Sequence, residues 1–255
     1  MEKLSVTIIT RNEEKNLERC LNALQGVADE IVVVDSFSTD RTVEICRRYG
    51  CKVTSREFPG FGAQRQYAAG LTSHRYVMSL DADEVIDEQL RQTLIRLKER
   101  GFEHRAYAVT VRNYFCGSEV RHSGYEPVAL VRLFNKSYAK WNLNEVADSI
   151  DYPDGVVPGR LEGSIHHYRC SSVEEFHKKE SRIASLSARR LAASGVCVNA
   201  VSAHMRALWQ FLRCHAAQLA WMDGANGRII AARRYKTTYD AYRMARRIIK
   251  EGCPD

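Results

Sequence analysis

Three short apolar runs in the first 81 residues are each followed by polar side chains, and helical patterns lie between them. Strands are predicted at 4–10, 30–35 and 76–80, and they end at or just before Thr10, Asp35 and Asp81. Strands that alternate with helices predict a parallel sheet with helices on both faces. Ligands of such sheets bind beyond the carboxyl ends of the strands. We therefore expect the three polar strand ends to line one crevice.

The rest of the pattern predicts an α/β fold followed by helices. Further helices are predicted near 14–24, 40–48, 63–72, 87–100, 173–194, 202–220 and 228–250, and further strands at 51–54, 106–112, 128–134 and 163–168. Asn12 is a candidate N-cap of the first helix, and Thr39 or Asp40 of the second. We expect one α/β domain with a mostly parallel central sheet in residues 1–170, and a C-terminal helical extension in residues 171–255.

The charge of the chain is concentrated at its C-terminal end. From residue 200 onward, 10 Lys and Arg stand against 4 Asp and Glu, so this segment holds +6 of the net charge of +7. A basic surface suits an anionic partner such as phospholipid, a lipid phosphate or nucleic acid. The 8 cysteines lack metal-ligand spacing, which favours reduced thiols in the cytoplasm. Neither a signal peptide nor a membrane-spanning helix is expected.

The segment Asp81-Ala82-Asp83 carries the most chemistry. Two carboxylates spaced i, i+2 after a parallel strand suit a hard divalent cation and the phosphates that it carries. A solvated acidic turn is the alternative, because acidic pairs at strand ends are common.

Three segments together carry a family resemblance. They are Thr7 to Glu14, then Val33-Val34-Asp35-Ser36 with Thr39-Asp40, then Asp81-Ala82-Asp83-Glu84. In this order they resemble the family 2 inverting glycosyltransferases, which have the GT-A fold, a nucleotide-sugar-binding α/β domain.

Later segments are similar to the subgroup of bacterial lipopolysaccharide core glucosyltransferases. These segments are Phe61 to Gln66, Arg132 to Asn135, Asn144-Glu145, His166-His167-Tyr168 and Trp221 to Gly224. The subgroup usually has His-Glu where this chain has Asn144-Glu145. The carboxylate is therefore present, and the neighbouring histidine is not.

The resemblance implies a nucleotide-sugar site and a metal site. Its nucleotide-sugar-binding residues are Thr10, Arg11, Asn12, Glu13, Asp35, Ser36, Gln64, Arg65, Asp81 and Ala82, and its metal ligands are Asp83 and Asp81. Asp83 would bind Mg²⁺ or Mn²⁺ directly, and Asp81 would contact the ribose or reach the metal through water. Structural alternatives are a capping role for Asp35, a helix-start role for Glu13 and Glu84, and a surface position for Arg65.

An inverting transfer also needs a general base for the acceptor hydroxyl. Glu145 is the candidate, and Asp148 is its rival. His166 and His167 are adjacent on a predicted strand and point to opposite faces, so they are not expected to chelate one ion together. The resemblance implies that one of them contacts the diphosphate or the metal; a structural histidine is the alternative.

The last helix carries a basic stripe beside aromatic residues. Lys236, Arg243, Arg247 and Lys250 share one face, and Tyr235, Tyr239 and Tyr242 form a neighbouring face. This combination is found in helices that lie on a membrane surface, but solvated charge beside packed tyrosines is the more common cause. Trp209, Phe211, Leu212 and Trp221 would either extend such a surface or pack beneath it.

The expected function is transfer of a hexose, most simply glucose from UDP-glucose, to a lipid-linked glycan such as lipopolysaccharide core. The place of the reaction would be the inner face of the cytoplasmic membrane. A nucleotidyltransferase acting on a sugar phosphate is disfavoured, because the first strand lacks a Gly-rich basic loop after it. A basic nucleic-acid-binding module is also disfavoured, because no recognisable binding motif is present.

Overall fold

The computed structural model describes residues 1–143, 149–194 and 199–251. The chain divides into two compact units, which are treated separately below. Unit 1 comprises residues 1–111 and 128–167, and unit 2 comprises residues 112–127 and 168–255. The predicted domain boundary after residue 170 stays a prediction.

Every helix and strand predicted from the sequence is present, and most ends are shifted by a few residues. The helix predicted near 202–220 is the exception, because α-helical structure there ends at Leu212 and a π-helical turn follows. The strands are β1 Leu4–Thr10, β2 Glu30–Asp35, β3 Lys52–Ser55, β4 Tyr76–Asp81, β5 Glu84–Ile86, β6 Ala106–Phe115, β7 Ser118–Val120, β8 Val128–Asn135, β9 Lys140–Trp141, β10 Ile150–Asp151 and β11 Gly159–Cys170. The helices are α1 Leu17–Ala23, α2 Thr42–Arg48, α3 Phe61–Gly70, α4 Glu88–Arg100, α5 Val173–Ala193, α6 Ala200–Leu212 and α7 Gly224–Glu251. A π-helical turn, Arg213–Ala217, and a 3₁₀ turn, Ala220–Asp223, join α6 to α7.

The main sheet of unit 1 has a parallel half and an antiparallel half. Its strand order is β3-β2-β1-β4-β8-β6-β11-β5. Strands β3, β2, β1 and β4 are parallel neighbours, whereas β8 pairs antiparallel with β4 and β6, and β5 pairs antiparallel with β11. The predicted α/β class and mostly parallel centre are confirmed.

Strands β1, β2 and β4 are buried on both faces, which explains their continuous apolar runs, whereas β3 is a partly exposed edge strand. Leu4, Val6 and Ile8 of β1 are fully buried, and Leu17 and Leu21 of α1 pack in the same core. The apolar strands therefore hold the polar residues at their carboxyl ends in fixed positions.

Two predicted helix caps are wrong. Helix α1 begins after Asn16 rather than after Asn12. Asn12 has a positive φ of 56°, and its Oδ1 accepts a hydrogen bond from the amide of Thr39 at 2.8 Å. The Asn12 side chain therefore joins the β1–α1 loop to the β2–α2 loop. The N-cap of α2 is Arg41, although Asp40 Oδ1 accepts from the Thr42 amide at 3.0 Å.

Unit 2 is built from helices α5, α6 and α7 and a β-hairpin. Strand β7 pairs with the end of β6 across Cys116 and Gly117, which both have positive φ, as a two-residue hairpin turn requires. The buried core of this unit contains Phe115, Val120, Cys170, Phe176, Cys214, Ala220, Ile230 and Ala231. None of the helices within the described residues is both long enough and apolar enough to span a membrane.

Candidate functional site

The polar ends of three parallel strands lie side by side in unit 1. Thr10 of β1 pairs with Asp35 of β2, and Ile9 of β1 pairs with Asp81 of β4. Because these strands are parallel, all three carboxyl ends face the same edge of the sheet. The side chains predicted to line one crevice are therefore neighbours.

An acidic cluster with one histidine follows β4. Ligand atoms of Asp81, Asp83 and His167 all lie within 4.8 Å of one another. The Asp83 Oδ1 is 3.3 Å from His167 Nε2, and the Asp83 residue is only 9% exposed. Two carboxylates and an imidazole are a donor set that a divalent cation can use. The alternative of a solvated acidic turn does not fit this burial.

The pairing of β5 with β11 places only one of the two adjacent histidines next to the acidic cluster. His167 lies opposite Glu84, and His166 lies opposite Val85. The His166 Nε2 is 3.8 Å from Asp87 Oδ2, and Asp87 is the N-cap of α4. Only His167 belongs to the acidic cluster, in agreement with the expectation that the two do not chelate one ion together.

Glu84 is a buried acceptor behind this cluster. Its side chain is 0% exposed, and its Oε1 accepts from Arg132 Nη2 at 2.7 Å. Its Oε2 accepts from the Asp81 amide at 3.0 Å, and its Oε1 is 3.6 Å from His167 Nδ1. Burial and the nearby Asp81 charge raise the pKa of Glu84, although Arg132 and His167 oppose this shift. The expected role of a helix-start acid is wrong.

Asp81 remains ionised at neutral pH despite its surroundings. Burial alone would raise the pKa of Asp81, but Arg65, Arg132 and His167 hold it well below its usual range. The Arg65 Nη2 donates to Asp81 Oδ1 at 2.6 Å. The strand end therefore presents a fixed negative charge.

Arg65 and Gln64 are buried side chains of α3. Arg65 is 7% exposed and its guanidinium lies over the Trp141 ring at 5.0 Å, so the alternative of a surface arginine is wrong. Gln64 is 0% exposed and its Nε2 donates to Ser36 Oγ at 3.2 Å. Both residues are held at the edge of the sheet where β2 and β4 end.

Asp35 organises the turn that follows β2. It is 1% exposed, and its carboxylate accepts from both the amide and the hydroxyl of Ser38. These bonds stabilise the turn itself rather than the first turn of α2, so the predicted capping alternative does not describe it.

The β1–α1 loop contributes the remaining predicted residues. Arg11 is exposed, whereas the Glu13 amide donates to Thr42 Oγ1 at 2.8 Å and Glu13 Oε2 accepts from Asn16 Nδ2 at 2.8 Å. Ala82 is buried between the two aspartates of the cluster. Glu145 and Asp148, the predicted general base and its rival, lie outside the described residues.

Sequence reasoning missed the roles of Glu84, Arg132 and Trp141. One signal was available, because Arg132 interrupts the apolar strand Val128–Asn135. A charged residue in a buried strand needs a partner of opposite charge, and Glu84 is that partner.

Comparison with known proteins identifies the family of this chain. The family model described as Glycosyl transferase family 2 matches residues 5–153. A Rickettsia typhi protein named Uncharacterized glycosyltransferase RT0209 is 27% identical over 89% of this chain and 81% of its own length. The lipopolysaccharide core biosynthesis glycosyltransferase LpsC of Rhizobium meliloti is 29% identical over 89% of this chain and 86% of its own.

Among solved structures, TarS 1–349 of S. aureus covers 98% of this chain and 92% of its own at 17% identity and a TM-score of 0.43. The predicted fold, an α/β domain of GT-A type followed by helices, is confirmed by the family match and by the observed sheet. The chain belongs to glycosyl transferase family 2.

Proposed function

We propose that this chain is an inverting glycosyltransferase that moves glucose from UDP-glucose to a hydroxyl group of a lipid-linked glycan of the lipopolysaccharide core type. The grouping of Asp81, Asp83 and His167 at the end of β4 carries this proposal. Two further facts support it: the chain belongs to a glycosyltransferase family, and a relative is named for core biosynthesis. No feature of the described residues favours a nucleotidyltransferase or a nucleic-acid-binding module.

The donor set fits a divalent cation, Mg²⁺ or Mn²⁺. Asp83 would be a direct ligand, His167 Nε2 would supply a neutral nitrogen, and Asp81 would contact the ribose or reach the metal through water. A bound cation neutralises the charge of the departing nucleoside diphosphate. Arg65 keeps the Asp81 carboxylate ionised and in place, so this part of the site is organised before the donor arrives.

The nucleotide would lie over the ends of β1 and β2. Among the described residues, Thr10 Oγ1 and Gln64 Oε1 are buried atoms without a hydrogen-bond partner. Buried polar atoms are normally paired, so a polar ligand at this edge would satisfy them. Asp35 and Ser36 border the same position. The adjacent loop residues Arg11, Asn12, Glu13 and Ala82 complete the proposed donor site.

Glu145 is the proposed general base. It would take the proton of the acceptor hydroxyl while the oxygen attacks the anomeric carbon and the bond to the diphosphate breaks. Both changes occur in one in-line displacement, so the configuration inverts and no covalent enzyme intermediate forms.

The proposed place of the reaction is the inner face of the cytoplasmic membrane. Five large apolar side chains of α6, here called the α6 apolar face, are exposed: Val201, Met205, Leu208, Trp209 and Leu212. Arg206 and Arg213 are exposed on the same segment. Apolar and aromatic side chains beside arginines are typical of a helix that lies on an anionic membrane. The basic stripe of α7 would add to the attraction for anionic lipid.

The tyrosines predicted beside that stripe are not part of this surface. Tyr242 is 9% exposed, and the Tyr235 hydroxyl and His204 Nδ1 are 2.8 Å apart. The Tyr239 ring lies 4.5 Å from the His204 ring. The three tyrosines pack against α6, as the more common explanation of the pattern predicts.

The transfer reaction tests the proposal directly. Purified protein is incubated with UDP-glucose, Mn²⁺ and a truncated lipopolysaccharide core, and NMR identifies the linkage of the product. We expect a β-linked glucose, because the donor is α-linked. Glu145→Gln should lower kcat by roughly 100-fold or more, and Asp148→Asn is the matched control. An α-linked product would disprove inversion, and full activity of Glu145→Gln would disprove the base assignment.

A further inference from the structure

Unit 2 contains a cleft of about 340 Å³ whose residues are not part of the proposed donor and metal site. Its walls come from the loop before β8, the end of β11 and all three helices α5, α6 and α7. The residues that define this cleft, here called the arginine cleft, are Tyr125, Arg169, Glu180, Gln210, Arg234 and Thr237. A volume of this size is in the range of sites that hold small molecules.

Two guanidinium groups converge on one aromatic ring in the arginine cleft. The Arg169 and Arg234 guanidinium carbons are 4.6 and 5.2 Å from the Tyr125 ring centroid. Within residues 1–143, 149–194 and 199–251, neither guanidinium forms a salt bridge to a carboxylate. Two like charges near one ring repel each other, and a bound anion would offset that repulsion.

One of these arginines is held in position by a buried amide. Arg169 Nε donates to Asn113 Oδ1 at 2.8 Å, and Asn113 Nδ2 donates to the Tyr125 carbonyl at 3.1 Å. Asn113 is only 5% exposed. The Nε bond leaves the two Nη groups of Arg169 for a ligand, which is the arrangement suited to bidentate recognition of a carboxylate or phosphate.

A buried carboxylate lines the same cleft and restricts what can bind. Glu180 is 8% exposed, and its Oε2 accepts from Thr237 Oγ1 at 2.8 Å. A simple anion would be repelled by this carboxylate. A ligand with hydroxyl groups could instead donate to Glu180 and exchange hydrogen bonds with Gln210 and Thr237. The cleft therefore suits a ligand that carries both an anionic group and hydroxyl groups.

We propose that the arginine cleft binds an acidic sugar, that is, a sugar unit that carries a carboxylate or a phosphate. Arg169 and Arg234 bind the anionic group, and Glu180 accepts hydrogen bonds from the hydroxyl groups. The assignment of this sugar to the acceptor glycan rests on the proposed function. The binding itself does not, because no residue of the cleft belongs to the donor site.

Ligand-observed NMR titration of the full chain tests this proposal. The probes are galacturonate, glucose 6-phosphate, uncharged glucose and inorganic phosphate. We expect at least one acidic sugar to bind roughly tenfold or more tightly than both glucose and phosphate, because only it satisfies both ends of the cleft. The tighter of the two acidic sugars identifies the anionic group as carboxylate or phosphate.

Two arginines of α7 provide the matched variants. Arg234→Gln should weaken binding of the acidic sugar roughly tenfold, whereas Arg228→Gln, at an exposed position of the same helix, should leave it unchanged. Equal loss in both variants, equal binding of inorganic phosphate, or no binding of either acidic sugar would overturn the proposal.

The outcome is separable from that of the proposed function. A chain that turns over UDP-glucose but binds no acidic sugar refutes the cleft alone. A chain that binds the acidic sugar but turns over no nucleotide sugar refutes the proposed function alone.

Discussion

His167 of β11 lies opposite Glu84 of β5, and the two nitrogens of the His167 ring face different carboxylates. Nε2 of His167 points toward Asp83, while Nδ1 is 3.6 Å from the buried Glu84 carboxylate. Histidines that bind metals commonly donate their other ring N–H to a carboxylate, which fixes the tautomer. Glu84 also accepts from the Asp81 amide and is held by Arg132, so we propose that it is a positioning residue for the cluster.

At the scale of single residues, alanine substitutions of the two adjacent histidines test the metal site, with His166 as the control for His167. His167→Ala should weaken Mn²⁺ binding in the presence of UDP by roughly tenfold or more, because it removes one of the ligand atoms of the cluster. His166→Ala should have little effect, because that side chain faces the N-cap of α4. Electron paramagnetic resonance of free Mn²⁺ measures both affinities, and equal affinities in the two variants would contradict the assignment.

The cluster shows how far single residues could be predicted. Asp81 and Asp83 were recognisable because a short motif after an apolar strand contains both. The sequence predicts a helix-start acid at Glu84, because nothing local shows that residues 84–86 form a strand. Its burial depends on pairing with β11, which is distant in the sequence, so only the tertiary structure reveals its role.

At the scale of elements, Glu30 connects the amino end of β2 to its neighbours. Its Oε2 accepts from Ser5 Oγ of β1 and from the Ser73 amide before β4 at 2.7 Å. Its Oε1 forms an ion pair with Lys52 of β3. Burial alone would raise the pKa of Glu30, but these bonds lower it from 4.5 to about 2. One carboxylate therefore stabilises four adjacent segments in unit 1.

This shift predicts how stability depends on pH. Because the pKa of Glu30 is lower in the folded chain, its contribution is complete above pH 4.5 and is lost as pH falls toward 2. The contribution is on the order of 3 kcal/mol. Urea unfolding should show Glu30→Gln to be less stable than the wild type near pH 7, with the difference shrinking below pH about 4.5.

Glu162→Gln is the control for this experiment, because the Glu162 side chain is 71% exposed in a loose pair with Arg96. It should match the wild type at every pH within about 0.5 kcal/mol. A Glu30→Gln difference that stays constant from neutral to acidic pH would show that the carboxylate charge is not responsible.

Elements were predicted more reliably than their ends. The apolar runs of β1, β2 and β4 clearly indicate buried strands, because strands buried on both faces need continuous apolar sequence. Helix starts were less certain: Asn12 has the residue type of an N-cap but lies in a left-handed conformation and bonds to Thr39. Strands β9 and β10 have two residues each, which is too short for any periodicity.

At the scale of the whole molecule, the chain combines an acidic site in unit 1 with a basic, apolar surface in unit 2. The helical character of the C-terminal part was predicted from periodicity. The membership of residues 112–127 in unit 2 was not predicted. The β-hairpin belongs to this unit because it contacts Cys170 and Phe176, which are distant in the sequence. A sequence pattern gives the elements of a unit but not which distant segments complete it.

The α6 apolar face predicts binding to anionic membranes. Replacing exposed Trp209 and Met205 by Ser should reduce sedimentation with phosphatidylglycerol-containing vesicles by roughly tenfold, because apolar area that would enter the lipid is lost. The control is Leu186→Ser, at an exposed apolar position on α5. If the double variant sediments like the wild type, this face does not contact the membrane.

The most direct test of the central claim is the cation dependence of UDP-glucose turnover. UDP release is measured with and without Mn²⁺ for the wild type, for Asp83→Asn and for Asp154→Asn, an exposed aspartate. We predict that the wild type and Asp154→Asn are active only with Mn²⁺, and that Asp83→Asn is at least roughly 100-fold slower at saturating Mn²⁺. Mn²⁺-dependent turnover by Asp83→Asn at the wild-type rate would contradict the claim.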